Sequence, residues 1–364
     1  MKLRIEEKIS LAEYTTLKVG GVARYFAKLT DATDLPLMVE FAESKGVPIL
    51  VLGCGSNVLI ADGELSLLVI KNELMGMSFK TAENGETLVT AAAGEGWDSF
   101  VSMVIERGLA GLENLSGIPG TIGAAPIQNI NAYGTSVAEI VESVRVFDVA
   151  AKQSRTLTAE ECEFGYRDSL FKQSAGANLI VTEVTFRLTS AAAGINLSYR
   201  SSSQSIKKFL LEKNISDPTL ADVRQVVLSV RKNIGMVDGC FCSAGSFFKN
   251  TILNAKEFSH LEGVVARNFS KVSEKLSPWH WSLPDGTIKV STAFLMECTA
   301  YNKRTYGKKR CQGVVGLSPL HSLSIVTEEG ATTVDVQDFA SLIVREVEEN
   351  FGITIESEVN FITA

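Results

Sequence analysis

The amino-acid sequence predicts a water-soluble protein of mixed helix and strand, folded as two or three domains. Three observations carry that expectation. The chain has 364 residues, enough for more than one core of ordinary domain size. Its hydrophobic content of 45% and charged content of 21% match a globular protein. Short apolar runs alternate with stretches of helical apolar spacing, and no run reaches the length of a membrane span. Residues 1–10 carry Lys2, Arg4, Glu6, Glu7 and Lys8 without the apolar core of a secretion signal, which predicts a cytoplasmic protein. The net charge of −7 argues against non-specific wrapping of nucleic acid. The six cysteines then read as reduced thiols. Cys240-Phe-Cys242 is spaced more tightly than a zinc knuckle and lacks a matching Cys pair, so no metal is expected.

The elements follow in order. A strand is expected to enter from Gly20-Gly21 through Arg24-Tyr-Phe-Ala27. Residues 34–45 place Leu35, Leu37, Met38, Phe41 and Ala42 on roughly one helical face, with Gly46 set to end the helix. Pro48-Ile-Leu-Val-Leu52 is a short strand running into Gly53-Cys-Gly-Ser-Asn57, then Val58-Leu-Ile60. That turn is either a phosphate-binding loop or a plain tight turn. It lacks the Gly-Lys-Ser/Thr ending of a Walker loop and the third glycine of the dinucleotide fingerprint. Residues 67–71 and 87–93 read as strands, 98–107 as a helix ending at Gly108, and 144–149 and 179–188 as strands. Thr158-Ala-Glu-Glu161 has capping-box spacing for a short helix. Residues 190–194 read as a linker and 197–204 as a polar loop. Residues 222–231 read as a helix and 256–284 as irregular, with Trp279-His-Trp281 on the surface. Residues 334–349 form an amphipathic helix through Val336, Phe339, Ala340, Ile343 and Val347, and 351–361 close the chain as a strand.

The most informative stretch is 114–134, with four glycines, two prolines and no charge. Such punctuation excludes a regular helix or central strand. Glycine lets backbone approach a ligand closely, and successive N–H groups make an anion-binding concavity. Ser116, Thr121, Gln128 and Asn129 add uncharged donors and acceptors. The stretch is either the lining of a phosphate or heterocycle site or a tightly packed turn between domains.

Five motifs then fall in one order: Gly53-Cys-Gly-Ser-Asn57; Ser116-Gly-Ile-Pro-Gly-Thr-Ile-Gly123 with Gln128-Asn-Ile-Asn-Ala-Tyr-Gly134; Phe164-Gly-Tyr-Arg-Asp-Ser169; Ala244-Gly-Ser-Phe-Phe-Lys-Asn250; and Glu356-Ser-Glu-Val-Asn-Phe-Ile362. Together they resemble the UDP-N-acetylenolpyruvoylglucosamine reductase family, in its tyrosine-loop subtype, from about Thr15 to Ile362. The resemblance implies an α+β fold: an FAD-binding region of the vanillyl-alcohol-oxidase type in two α+β lobes, 1–71 and 72–204, and a substrate-binding domain, 205–364, whose strand 353–362 returns to the first lobe. It implies non-covalent FAD against Gly53, Cys54, Gly55, Ser56, Asn57, Ser116, Gly117, Ile118, Pro119, Gly120, Thr121, Gly123, Ala124, Gln128, Asn129 and Gly134. It implies NADPH as reductant and an enolpyruvyl UDP-sugar as substrate, handled by a monomer with no nucleic-acid or membrane partner. Arg167, Ser246 and Glu358 match the catalytic positions: enolate stabiliser, proton donor and supporting acid. Tyr199, Lys249, Asn250 and His321 match substrate-site positions. One departure is Ile234, which stands where the family carries a nucleotide-contact lysine; Lys232 is the nearby replacement. The competing expectation is another FAD oxidoreductase of the same cofactor fold.

Overall fold

A computed structural model describes residues 3–363 apart from 82, 84, 192–193, 198–205 and 238. The first sheet has the order Glu6–Ser10, Val22–Leu29, Glu64–Asn72, Ile49–Leu52. Val22–Leu29 and Ile49–Leu52 both run parallel to Glu64–Asn72. The central strand is apolar on both sides because both sides are covered. Leu65, Leu67 and Val69 face Leu11, Phe26 and Ile60. Leu68 and Ile70 face Leu35, Met38 and Val39 of the helix Leu35–Lys45. Gly46 ends that helix in the left-handed conformation, at φ 63°.

The second sheet is antiparallel, ordered Gln153–Thr158, Val141–Asp148, Leu179–Ser190, Thr87–Ala92, Met77–Thr81. The helix Trp97–Glu106 buries Trp97, Phe100, Val101 and Val104 against it. Phe100 and Phe186 meet with ring centroids 5.0 Å apart. Residues 114–134 form only single turns and two-residue strands between this sheet and the helix Leu220–Asn233.

A third core gathers Phe247, Phe248, Phe294, Leu295, Phe339 and Ile343 around the helix Thr333–Phe351. Beside it lies a small antiparallel sheet, with Ile288–Val290 between Thr251–Leu253 and His280–Ser282. Asn360–Ile362 then pairs in parallel with Val58–Ile60, so the end of the chain lies beside its first third.

Four expectations are corrected. Residues 256–284 are largely ordered, as the helices Ala255–Asn268 and Ser270–Lys275. The first starts at a capping box in which Asn254 accepts from the Lys256 and Glu257 N–H groups and Glu257 returns to the Asn254 N–H. Trp279 is no surface residue; it is buried and stacked on Phe294, with centroids 4.5 Å apart. Thr158 and Glu161 do exchange their box hydrogen bonds, but they close only a turn and no helix forms: Thr158 ends a strand and Glu163 takes a left-handed backbone at φ 47°. Finally, Phe351 closes the last helix, and only Asn360–Ile362 is strand. Ile353 and Ile355 alternate inward without a neighbouring strand, burying their side chains in the third core.

Candidate active site

The main cleft encloses about 2060 Å³ and takes lining from all three regions. Small-molecule sites commonly occupy roughly 300–1,000 Å³, so this one has room for two ligands side by side. One wall is the backbone of 53–57 and 118–121, with Ala124, Gln128 and Gly134 beyond. Its glycines differ in purpose. A Cβ on Gly55, at φ 66°, would collide with the Tyr14 carbonyl oxygen, and one on Gly53 would sit 2.8 Å from Thr121 Oγ1. A Cβ on Gly123 would come within 2.6 Å of Ala93 Cβ. Gly120, at φ 150°, meets nothing nearer than Ser56 Oγ at 3.9 Å, so its missing side chain leaves room in the cleft itself. Four of the predicted residues lie behind this lining. Ser116 is buried and donates to Glu113 O at 2.7 Å. Gly123 packs on Ala93. Asn129 donates to Gly165 O at 2.9 Å and accepts from Ser136 Oγ at 2.6 Å. The Gly117 N–H donates to Asp98 Oδ1 at 2.5 Å, and Arg224 grips the same carboxylate through two nitrogens at 2.6 and 2.8 Å. Burial opposes the charge of Asp98, yet the Arg224 and Gly117 hydrogen bonds outweigh it and hold the carboxyl below its ordinary range. The glycine stretch is thereby tied to the helix Leu220–Asn233.

At the centre Arg167 Nε lies 2.8 Å from Glu358 Oε1, and Arg167 Nη1 reaches Asn131 O at 3.4 Å. Arg167 sits in a left-handed backbone at φ 54°, an uncommon state for a long side chain. Glu358 is buried, which pushes its carboxyl up despite the pull of Arg167, Lys172 and Lys249. Its N–H donates to Phe247 O at 2.8 Å, and the Phe247 N–H donates to Leu323 O at 2.8 Å, so the segment carrying Ser246 is fixed on both sides. Ser246 and Asn250 line the cleft. Asn250 Oδ1 accepts from the Thr292 N–H at 3.2 Å. Burial and the charge of Lys303 push His321 down to about 4, so it is a neutral imidazole. Its Nδ1 accepts from the Leu323 N–H at 3.2 Å, which leaves Nε2 as the protonated nitrogen. Among the described residues, no three His, Cys, Asp or Glu side chains gather as a metal site.

Residues 23–156 match the family described as FAD binding domain, and 238–362 match that described as UDP-N-acetylenolpyruvoylglucosamine reductase, C-terminal domain. The chain is 37% identical over 362 residues to the UDP-N-acetylenolpyruvoylglucosamine reductase of Thermobifida fusca, covering 98% of each. It is 34% identical over 360 residues to that of Pseudomonas aeruginosa, covering 99% of each. The chain belongs to the UDP-N-acetylenolpyruvoylglucosamine reductase family. A crystal structure of the reductase from Thermus caldophilus superposes with a TM-score of 0.64 at 25% identity, over 99% of this chain and 100% of that one. The fold is the FAD-binding α+β fold of that family.

Not every family position falls on the cleft. Lys249 turns aside to Glu356, with Nζ 3.1 Å from Oε2, and does not line it. Lys232 is exposed and away from it, whereas Ile234 and Arg231 do line it. Arg231 donates to Gly117 O at 3.0 Å and Met236 O at 2.6 Å. The cation beside Ile234 on the cleft is thus Arg231 rather than Lys232. Tyr199 lies outside the described residues. Sequence reasoning missed Tyr166 and Lys289 as lining residues. Tyr166 stood inside a quoted motif next to Arg167; Lys289 belongs to a three-residue strand with no periodicity to read.

Proposed function

We propose that this protein reduces the enolpyruvyl ether of UDP-N-acetyl-3-O-enolpyruvylglucosamine, giving UDP-N-acetylmuramate for peptidoglycan synthesis. NADPH is the reductant, FAD the non-covalent carrier, and the cytoplasm the compartment. The observation that carries this reading is the Arg167–Glu358 pair, which lines the same cleft as Ser246 and the glycine loops. The residues fit the cofactor: the backbone of 53–57 and 118–121 is polar and close, and Gly120 opens onto free space. Bound there, FAD would supply the hydride chemistry that links NADPH to the substrate.

The chain's own residues deal with the charge and proton that follow. Hydride addition at the distal vinyl carbon leaves negative charge on the carbon beside the carboxylate. Arg167 is the fixed cation where that charge develops. Glu358 holds the guanidinium in place and, with its carboxyl raised by burial, serves as a supporting acid. Ser246 delivers the proton to the carbanion; among the described residues its hydroxyl has no hydrogen-bond partner. Asn250 and His321 are read as neutral hydrogen-bonding groups for the sugar nucleotide, and Tyr199 as a cover over its diphosphate. Lys249, paired with Glu356, acts at a distance through its charge.

The chain is read as FAD-binding lobes 1–71 and 72–204 and a substrate domain 205–364. The return of Asn360–Ile362 to Val58–Ile60 supports the tie between its ends. It is read as a monomer, which light scattering at micromolar concentration tests. For the activity, the purified protein is incubated with NADPH and the enolpyruvyl UDP-sugar. The reading requires a product heavier by two hydrogens and identical to UDP-N-acetylmuramate; NADPH oxidation without that product overturns it.

A further inference from the structure

Lys289 stands at the middle of the small three-stranded sheet, directly opposite Ile252 on one side and Trp281 on the other. Cross-strand partners share a face, so the lysine stem is flanked by two large apolar side chains. Lys289 and Trp281 both line the cleft. The ammonium lies over the Tyr166 ring, 4.3 Å from its centroid, and no carboxylate comes within 4 Å of it among the described residues. Its charged neighbours are Arg167, which repels it, and Glu358, which attracts it. Lys172 reaches the same centre, with Nζ donating to Arg167 O at 3.1 Å. Among the described residues Glu358 is the carboxylate that acts on Arg167, Lys172 and Lys289 together, with Asp168 acting on Lys172 as well. Lysine is held by a strand, and partly desolvated, where the protein supplies too little negative charge. Such an arrangement awaits an anion.

We propose that Lys289 is an anion-binding residue of the cleft that takes the carboxylate of the enolpyruvyl substrate alongside Arg167. This rests on the function proposed above. The carboxylate is favoured over the diphosphate because the lysine's charged neighbours are Arg167 and Glu358, the pair assigned to the reacting carbon. The Tyr166 ring holds the ammonium by a cation–π contact while leaving its N–H groups to the ligand.

The test uses two ligands with the same UDP portion. UDP-N-acetylmuramate carries the carboxylate; UDP-N-acetylglucosamine lacks it. Binding to the FAD-loaded protein is measured by calorimetry for wild type, Lys289→Met and Lys289→Arg. Lys289→Met is expected to weaken UDP-N-acetylmuramate about 10- to 100-fold, the worth of a hydrogen bond to a charged group, and to leave UDP-N-acetylglucosamine within about twofold. Lys289→Arg is expected to recover much of the loss. Equal weakening of both ligands would place the lysine on the diphosphate, and no weakening would make it structural; either overturns the proposal. Loss of flavin or of melting temperature in both variants also overturns it, as a purely structural role. Wild-type protein that binds neither ligand would instead sink the proposed function, and this assignment with it.

Discussion

Gly120 and Gly123 look alike in the sequence, yet the structure assigns them opposite sensitivities. At Gly120→Val the backbone must hold φ near 150° with a branched side chain, and that side chain would project past Ser56 Oγ into the cleft. A sparsely populated backbone state costs about 1–3 kcal/mol, which lowers the melting temperature by roughly 2–4 °C per kcal/mol at this domain size. Overfilling the cofactor wall costs a further 1–3 kcal/mol or so, paid only when FAD is present, so its dissociation constant should rise about 5- to 150-fold. At Gly123→Ala the added carbon meets Ala93 Cβ at 2.6 Å and Ala93 O at 3.1 Å, and the Gly123 N–H already donates to that oxygen at 2.9 Å. Backbone there must shift, so the loss falls on the fold rather than on the flavin. The assay is a flavin titration followed by fluorescence, beside thermal melts of the two apo-proteins. Apo-protein is essential, because bound ligand raises apparent stability by itself. A Gly120→Val protein with wild-type flavin affinity would refute the reasoning, as would a Gly123→Ala protein with an unchanged apo melt.

Ser246→Ala should accept electrons from NADPH at nearly the wild-type rate and then reoxidise with the enolpyruvyl sugar about 10²–10⁴-fold more slowly; stopped-flow absorbance resolves the two, and equal slowing of both would remove the proton-donor role. Arg167→Lys should impair the same second half-reaction, since an ammonium cannot reproduce the planar guanidinium contact, and an unaltered reoxidation rate would dismiss it as enolate stabiliser. His321 links stability to pH: its folded value near 4 lies below the ordinary 6.5, so the unfolded chain takes up the proton first. The contribution is complete above pH 6.5 and is lost as pH falls toward 4, by up to about 1.4 kcal/mol per pH unit. Urea unfolding at pH 7 and pH 5 should therefore show a smaller acid loss for His321→Gln than for wild type, and equal losses would contradict the neutral imidazole.

The parts of the fold legible in the sequence are those with enough residues to show a period or a cap. The helix Thr333–Phe351 announces itself through buried Val336, Phe339, Ala340, Ile343 and Val347. Ala255–Asn268 does not, because only Leu261 and Val265 are fully buried and the cap is an asparagine preceding a mostly polar face. The same limit governs the site. Arg167, Ser246 and Glu358 sit in local motifs whose residue types are unusual together. Lys289 becomes a cleft residue through the pairing of three strands of three residues each. A strand so short cannot display alternation, and its register comes from contacts far apart in the chain. The glycines show a third limit: composition signals that a Cβ is unwelcome, but not whether protein or ligand would meet it.

The chain carries a net charge of −7, yet its central groups are predominantly cationic. The UDP-sugar and NADPH are both anions with a diphosphate, so the overall field does not draw either one in. At physiological ionic strength that field fades over roughly 8 Å, and the interactions that matter are those of cations already inside the cleft. Arg167, Lys172 and Lys289 are held there at a cost in desolvation and mutual repulsion, and burial and like charge lower both Lys172 and Lys289 from the usual lysine range. Glu358, together with Asp168 at Lys172, offsets that repulsion only in part. An anionic ligand would add negative charge that offsets this repulsion. In the proposed reaction these cations face the enolpyruvyl carboxylate. A ligand that brings a carboxylate to this centre therefore gains from these cations what NADPH, whose anionic groups are phosphates, does not.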